Sequence, residues 1–188
     1  MNRHLEPGTL LISVPQMLDP NFMHTVVLVC QHAAEGAFGL VLNCKAGRTV
    51  AELLPDHPVL REVEAEVYAG GPVGLDALQF LHRVPDRIRG GTAIADGLYL
   101  GGELDELAAF LRDGPEPGRD ARLFVGYSGW GAGQLDAELV SGSWVPAPFD
   151  RELPFSTAGR EGAWRRVLRS LGRAGEGLSQ LPPDVSWN

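Results

Sequence analysis

The chain has almost no lysine: Lys45 stands alone, and every other base among its 16 is an arginine. Beside 24 glycines and 14 prolines, this reads as a coding bias and not as a functional mark. Positive charge is also short overall, since 24 acids against 16 bases leave a net charge of −8. A chain of that sign is repelled by a phosphate backbone unless its bases are gathered locally, which argues against direct nucleic-acid binding. Cysteine is scarce too, with only Cys30 and Cys44. No C-x-x-C pair exists, so neither a disulfide scaffold nor a cysteine-rich zinc site is indicated. The apolar run from Val26 to Cys30 falls far short of the roughly 20 residues that a membrane-spanning helix needs. Glu6, Pro7 and Gly8 interrupt any secretory leader, so the expected location is cytoplasmic. No repeat of fixed period is present.

What is there suits one domain. A chain of 188 residues with 44% apolar content supports a sizeable core. Residues 9–14 read as a short strand, followed by a proline-punctuated loop over 15–20. Residues 23–31 and 37–43 read as a hairpin turning through Ala34, Glu35 and Gly36, and the apolar run at both parities from Thr25 to Cys30 fits a central strand covered on both faces. Closing that hairpin puts Cys30 opposite about Gly39, leaving Cys44 roughly 17 Å further along, beyond disulfide reach. Further strands are expected over 63–69, 77–82, 97–100 and 122–125, with a turn at Gly70, Gly71 and Pro72. A short helix is expected over 49–54. A longer one carries Leu104, Leu107, Ala108 and Leu111 on one face and ends at Gly114 and Pro115. Another carries Trp164, Val167, Leu168 and Leu171, with Ser156 or Thr157 as its N-cap. Residues 126–133 read as a glycine-rich turn leading into a short helix through Leu135 and Leu139, and residues 172–188 as a loose tail holding Leu178, Leu181 and Trp187. Hairpins with scattered helices point to α+β.

Four constellations invite a chemical reading. Strand, then Gly126-Tyr127-Ser128-Gly129-Trp130, then helix resembles the hydrolase nucleophile elbow G-x-S-x-G, except that Trp130 occupies the last glycine's place. A structural turn with a locally bonded Ser128 is the stronger reading. Gly126, Gly129, Gly131 and Gly133 precede a helix where backbone N–H groups could hold an anion, yet the spacing fits no phosphate-binding motif and Asp136 and Glu138 oppose it. His24, Cys30, His32 and Cys44 are metal-ligand types at unsuitable spacing, so no metal is expected. Arg165, Arg166, Arg169 and Arg173 form the one basic stripe, a nucleic-acid or partner patch at most, with a solvated helix face as the default.

Taken together, several segments resemble the YqgE/AlgH family of bacterial proteins. They are Leu18-Asp19-Pro20-Asn21-Phe22, the run from Thr25 to His32, Glu35 to Asn43, Gly70-Gly71-Pro72-Val73, Leu81-His82, Leu98 to Gly102, and Gly126 to Leu135, with Trp144 and Trp164. This chain departs from the family at Gln31 (usually Glu), at Cys44 (usually basic) and at Ser128 (often Ala). The resemblance implies a compact α+β fold with a largely antiparallel, barrel-like sheet and three to four helices, in the bacterial cytosol. It also implies a regulatory role, since the AlgH branch is described as regulating transcription in alginate production. No catalytic residue, cofactor or substrate comes with it. The candidate ligand-binding positions are His32, Asn43, Gly70, Gly71, His82, Tyr127, Ser128 and Gln134. The expected activity is that of a non-enzymatic regulatory or binding protein acting through a protein or small-molecule partner. The alternative is a hydrolase or a nucleotide- or anion-binding protein using residues 126–134.

Overall fold

The computed structural model describes residues 5–114, 116, 118–172 and 175. Most of the expected tail, including Leu178, Leu181 and Trp187, lies outside the described residues, as do Pro115 and Arg173.

The chain opens with β1 (Leu10–Ser13), β2 (Val26–Ala33) and β3 (Gly36–Val41). Residues 26–30 of β2 are all buried and divide by parity. Val26, Leu28 and Cys30 enter one core cluster, while Val27 and Val29 enter another on the opposite face. The hairpin register pairs Val29 with Gly39 and Gln31 with Phe38, so Cys30 is the extra residue of a β-bulge. Both cysteines are free.

Next come β4 (Lys45–Thr49), α1 (Val50–Leu53), a 3-10 turn at Leu60–Glu62, β5 (Glu66–Ala69), β6 (Val73–His82), β7 (Thr92–Ala95), β8 (Leu98–Leu100) and α2 (Leu104–Asp113). Thr49 and Glu52 form a reciprocal capping box that starts α1. On α2, Leu107, Ala108 and Leu111 are buried, whereas Leu104 stays partly exposed. The chain finishes with β9 (Ala121–Gly131), α3 (Gln134–Val140), β10 (Trp144–Ala147), a 3-10 turn at Leu153–Phe155 and α4 (Arg160–Ser170). Neither Ser156 nor Thr157 caps α4. Gly159 holds that position, and the Ser156 hydroxyl accepts from the Ala158 N–H instead, closing a turn just before the helix.

The strands form a 10-stranded sheet in the order β10-β1-β2-β3-β9-β6-β8-β7, with β4 and β5 branching from β9. All pairings are antiparallel except β5 with β9. No ladder among the described residues joins β7 to β10, so the sheet is curved but open, and the expected barrel-like form is met only loosely. Helix α4 covers one face through Trp164, Val167 and Leu168, and the Trp164 indole N–H donates to the Ser13 carbonyl at 2.8 Å. Helix α3 covers the other face beside Trp130 and Trp144, while α2 closes a third cluster over Val67, Phe80 and Leu123.

The main correction concerns residues 126–133, which are not a turn. Strand β9 continues through Gly131, because its second half has a ladder partner in β3: Ser128 pairs with Gly39, and Trp130 with Ala37. Only Ala132 and Gly133 turn the chain into α3. The glycines serve a crossing of backbones. Along one edge β9 changes partner, from β5 at Val125 to β3 at Ser128. Gly70 fills the gap: its N–H donates to the Val125 carbonyl at 2.9 Å and its carbonyl accepts from Val41 N–H at 2.8 Å. A Cβ on Gly71 would lie 2.3 Å from the Tyr127 carbonyl carbon, at a φ of +151°. Gly71→Ala is therefore expected to cost about 3 kcal/mol or more, from clash plus backbone strain. Gly47→Ala, with φ +71° but nothing within 4 Å, should cost about 1 kcal/mol. Urea unfolding of the two variants checks the contrast.

Candidate functional site

The predicted site residues do not converge on one centre. Ser128 is 0% exposed, and its hydroxyl donates to the Gly70 carbonyl at 3.1 Å, within the strand crossing. Gly70 and Gly71 belong to that crossing, and Tyr127 packs its ring on Phe38 at 5.3 Å. Asn43 is a clasp: its side chain accepts from Val26 N–H at 3.0 Å and donates to the carbonyls of His24 and Arg160 at 2.9 and 2.6 Å. It thereby ties β2 to the start of α4.

The histidines and Gln134 are likewise engaged within the fold. His32 accepts from Leu5 N–H at Nδ1 (2.8 Å), which puts its proton on Nε2, 3.6 Å from the Asp136 carboxylate. His82 is buried and accepts from Val84 N–H at Nδ1, so its Nε2–H faces the Gly101 carbonyl at 3.1 Å. Gln134 accepts from Gly131 N–H and donates to Glu138. Glu138 in turn receives the indole N–H groups of Trp130 and Trp144 on one carboxylate oxygen, at 2.9 and 2.7 Å. That pair explains Trp130 where a nucleophile elbow would have glycine: the indole is a wall of the core, fixed by its N–H.

The basic stripe is largely neutralised. Arg165 pairs with Glu161 at 2.6 Å and Arg166 with Asp150 at 2.7 Å, while Arg169 is exposed. Among the described residues no group of three or more His, Cys, Asp or Glu is placed to hold a metal ion, and no helix is long and apolar enough to cross a membrane.

Two cavities are more promising: of the candidate positions, Asn43 and Gly71 line the first and none lines the second. The larger, about 510 Å³, is a groove between Pro20–Asn21, the Asn43–Lys45 segment, Gly71–Leu75 and the α4 N-terminus. Arg160 crosses it, donating to the Asn21 carbonyl at 3.0 Å. Cys44 lies in its wall with its thiol pKa raised, because burial outweighs the nearby Arg160 guanidinium; it is not an activated nucleophile. Leu75, 71% exposed, stands at the rim. The second cavity, about 410 Å³, is built around Arg122 and Tyr68. One signal could have flagged it: an arginine inside the otherwise apolar stretch from Ala121 to Val125.

Two measurable consequences follow from this geometry. Ser128→Ala removes a donor but leaves the Gly70 carbonyl its bond from Val41, so it should cost only about 1 kcal/mol in urea unfolding. Burial lowers the pKa of His82 below its ordinary 6.5, against an opposing contribution from the Gly101 carbonyl, and burial likewise lowers His24. The unfolded chain then binds more protons, so stability is intact above about pH 6.5 and falls as the pH drops toward the lowered folded values. Unfolding free energies measured across that range should show the decline, and His82→Gln should make it shallower.

Comparison with known proteins agrees with the fold and extends over almost all of the chain. Residues 10–175 match the family described as AlgH-like. A UPF0301 protein of Chlorobium limicola is 39% identical over 168 residues, covering 89% of this chain and 88% of its own. One from Cytophaga hutchinsonii is 38% identical over 186 residues, 98% of this chain and 100% of its own. The solution structure of the AlgH protein from Pseudomonas aeruginosa superposes with a TM-score of 0.71 at 30% identity, covering 94% of each chain. A crystal structure of a Corynebacterium diphtheriae protein gives 0.72 at 25% identity, covering 96% of this chain and 95% of that one. With the family match spanning the sheet and its helices, and relatives this similar along their length, the chain belongs to the AlgH-like family.

Proposed function

We propose that the protein is a non-catalytic regulatory binding protein of the cytoplasm, acting on gene expression through a protein partner and not by holding DNA. The observation that carries this reading is Ser128. It is the one side chain in a motif resembling a catalytic signature, and it is sealed in a strand crossing with its hydroxyl committed to a backbone carbonyl. A nucleophile needs a neighbouring base and an approach path, and this position supplies neither an open face nor a free proton acceptor.

The groove beside Arg160 supports binding instead. Leu75 and Val73 are exposed apolar residues on the first half of β6, where the ladder with β9 is interrupted between Val73 and Leu78. Exposed apolar side chains beside a groove of this size are characteristic of a protein contact. The net charge of −8 and the paired arginines of α4 weigh against a DNA surface. The resemblance to the AlgH branch supports the regulatory outlet.

Complementation of a strain lacking its own copy tests this reading. Wild type and Ser128→Ala should restore the transcript profile equally, whereas Leu75→Asp, which alters only an exposed side chain, should not. A folded Ser128→Ala that fails would revive the enzymatic reading, and a fully active Leu75→Asp would remove the groove from the proposal. A gel shift across a salt series should show no tight, steeply salt-dependent DNA complex.

A further inference from the structure

Arg122 is the one charged residue among the described residues of the buried core: it is 4% exposed, near the start of β9. Its guanidinium stacks on the Tyr68 ring at 3.9 Å and donates to the Ser156 carbonyl at 3.0 Å. Among the described residues no carboxylate lies within ion-pair distance of it. The carboxylates that share its cavity are engaged elsewhere, Glu66 by Lys45 at 2.8 Å and Glu116 by Arg119 at 3.6 Å. A guanidinium keeps its charge at any pH the fold survives, and a buried charge without a counter-charge is costly. Burial accordingly disfavours the charged form of Arg122 and outweighs the opposing influence of Tyr68 and Glu66.

The cavity around this arginine is preformed. Arg83 donates to Asp120 at 2.6 Å, to the Arg119 carbonyl at 3.1 Å and to Glu152 at 3.1 Å, and lies over the Phe155 ring at 4.8 Å. It thus fastens the segment carrying Phe155 and Thr157 to the start of β9, and both form walls of the cavity. At about 410 Å³ the space suits a small molecule. Its charged wall holds three cations, Lys45, Arg119 and Arg122, and two carboxylates, Glu66 and Glu116. One negative charge balances that set. A phosphate dianion would overshoot and face both glutamates.

We propose that the Arg122 cavity is an anion site that takes the carboxylate head of a small organic monoanion, with its apolar body against Tyr68 and Phe155. The planar guanidinium, seated over the Tyr68 ring at 3.9 Å, matches the two oxygens of a carboxylate in its own plane. This site shares Lys45 with the groove beside Arg160 but is otherwise lined by different residues, and it stands whether or not that groove binds a partner.

Titration of the full chain with sodium benzoate, followed by amide chemical shifts, tests the assignment. Saturable shifts are expected at Tyr68, Phe155 and Thr157 at millimolar benzoate. Neutral benzamide should give none, and inorganic phosphate should bind more weakly than benzoate. Arg122→Gln should weaken benzoate about 10-fold or more, the usual loss when a charge-assisted hydrogen bond is removed. Thr157→Glu alters an exposed side chain and adds a negative charge to the wall, so it should abolish the shifts in a folded protein even if Arg122→Gln does not fold. Absence of saturable shifts, equal binding of benzamide, tighter binding of phosphate, or unchanged affinity in folded Arg122→Gln or in Thr157→Glu would each overturn the proposal. None of these outcomes bears on complementation by Leu75→Asp.

Discussion

The structure depends on a close crossing of two backbones, at Gly70–Gly71 and at Gly126–Tyr127. Each segment leaves no room for a side chain on the other: a Cβ on Gly70 would sit 2.4 Å from the Gly126 carbonyl oxygen, and one on Gly126 would sit 2.4 Å from that of Gly71. Because the segments close to this distance, β9 passes from β5 to β3 without a break. Ser128 and Val41 both donate to the Gly70 carbonyl, so the oxygen left between ladders is doubly satisfied. The two halves of the sheet are one object for this reason. Both cavities inherit their position from the crossing. Gly71 and Pro72 line the groove beside Arg160, while Tyr68 and Arg122 lie just upstream on β5 and β9.

The second organising constraint is the accounting of buried polar groups. Among the described residues, no buried side-chain nitrogen or oxygen lacks a hydrogen-bond partner. Asn43, Ser13, Thr25, His82 and Ser128 meet this with neutral partners, mostly backbone groups of loops and strand ends. These are the positions where a catalytic role is most easily imagined from sequence, because polar residues in apolar surroundings look purposeful. Their purpose is to close the ladder where strands end or bend. Arg122 differs in kind, since a hydrogen bond to a carbonyl and a ring face satisfy its geometry but do not cancel its charge.

Much of the fold was legible in the chain. The run from Val26 to Cys30 announced a strand buried on both faces, the hairpin after it turned at Ala34 and Glu35, and the periodicity of α2 and α4 placed their buried faces. Strands β4, β7 and β10 were not legible. Lys45–Thr49 is polar and β10 contains Pro146, so neither has the composition of a strand; each is held by a partner, β5 and β1 respectively. The glycine run of β9 misled for a related reason. Glycine signals a turn when only neighbours in sequence are considered, whereas here it records the approach of Gly71, distant in the chain. Arg122 was hidden because its surroundings come from three separate segments, β5, β9 and the stretch after Leu153–Phe155.

Charge distribution carries this reasoning one step further. The acidic excess is spread over the surface, and the arginines that face solvent are mostly tied to it: Arg165 to Glu161, Arg166 to Asp150, Arg89 to Glu106, Arg112 to Asp113. Exposed pairs of this kind add little stability, but they flatten the outward field and leave little positive surface for long-range attraction of a polyanion. Arg169 stays exposed to solvent, whereas Arg122 is enclosed, where a low local dielectric strengthens its charge at short range. An enclosed cation selects by shape and charge count, and it answers to a ligand small enough to enter. An acidic exterior of this kind disfavours a polyanion on charge grounds alone, while Arg83 ties the walls of the Arg122 cavity together through Asp120, Glu152 and the Arg119 carbonyl, so that the space exists without a ligand to shape it.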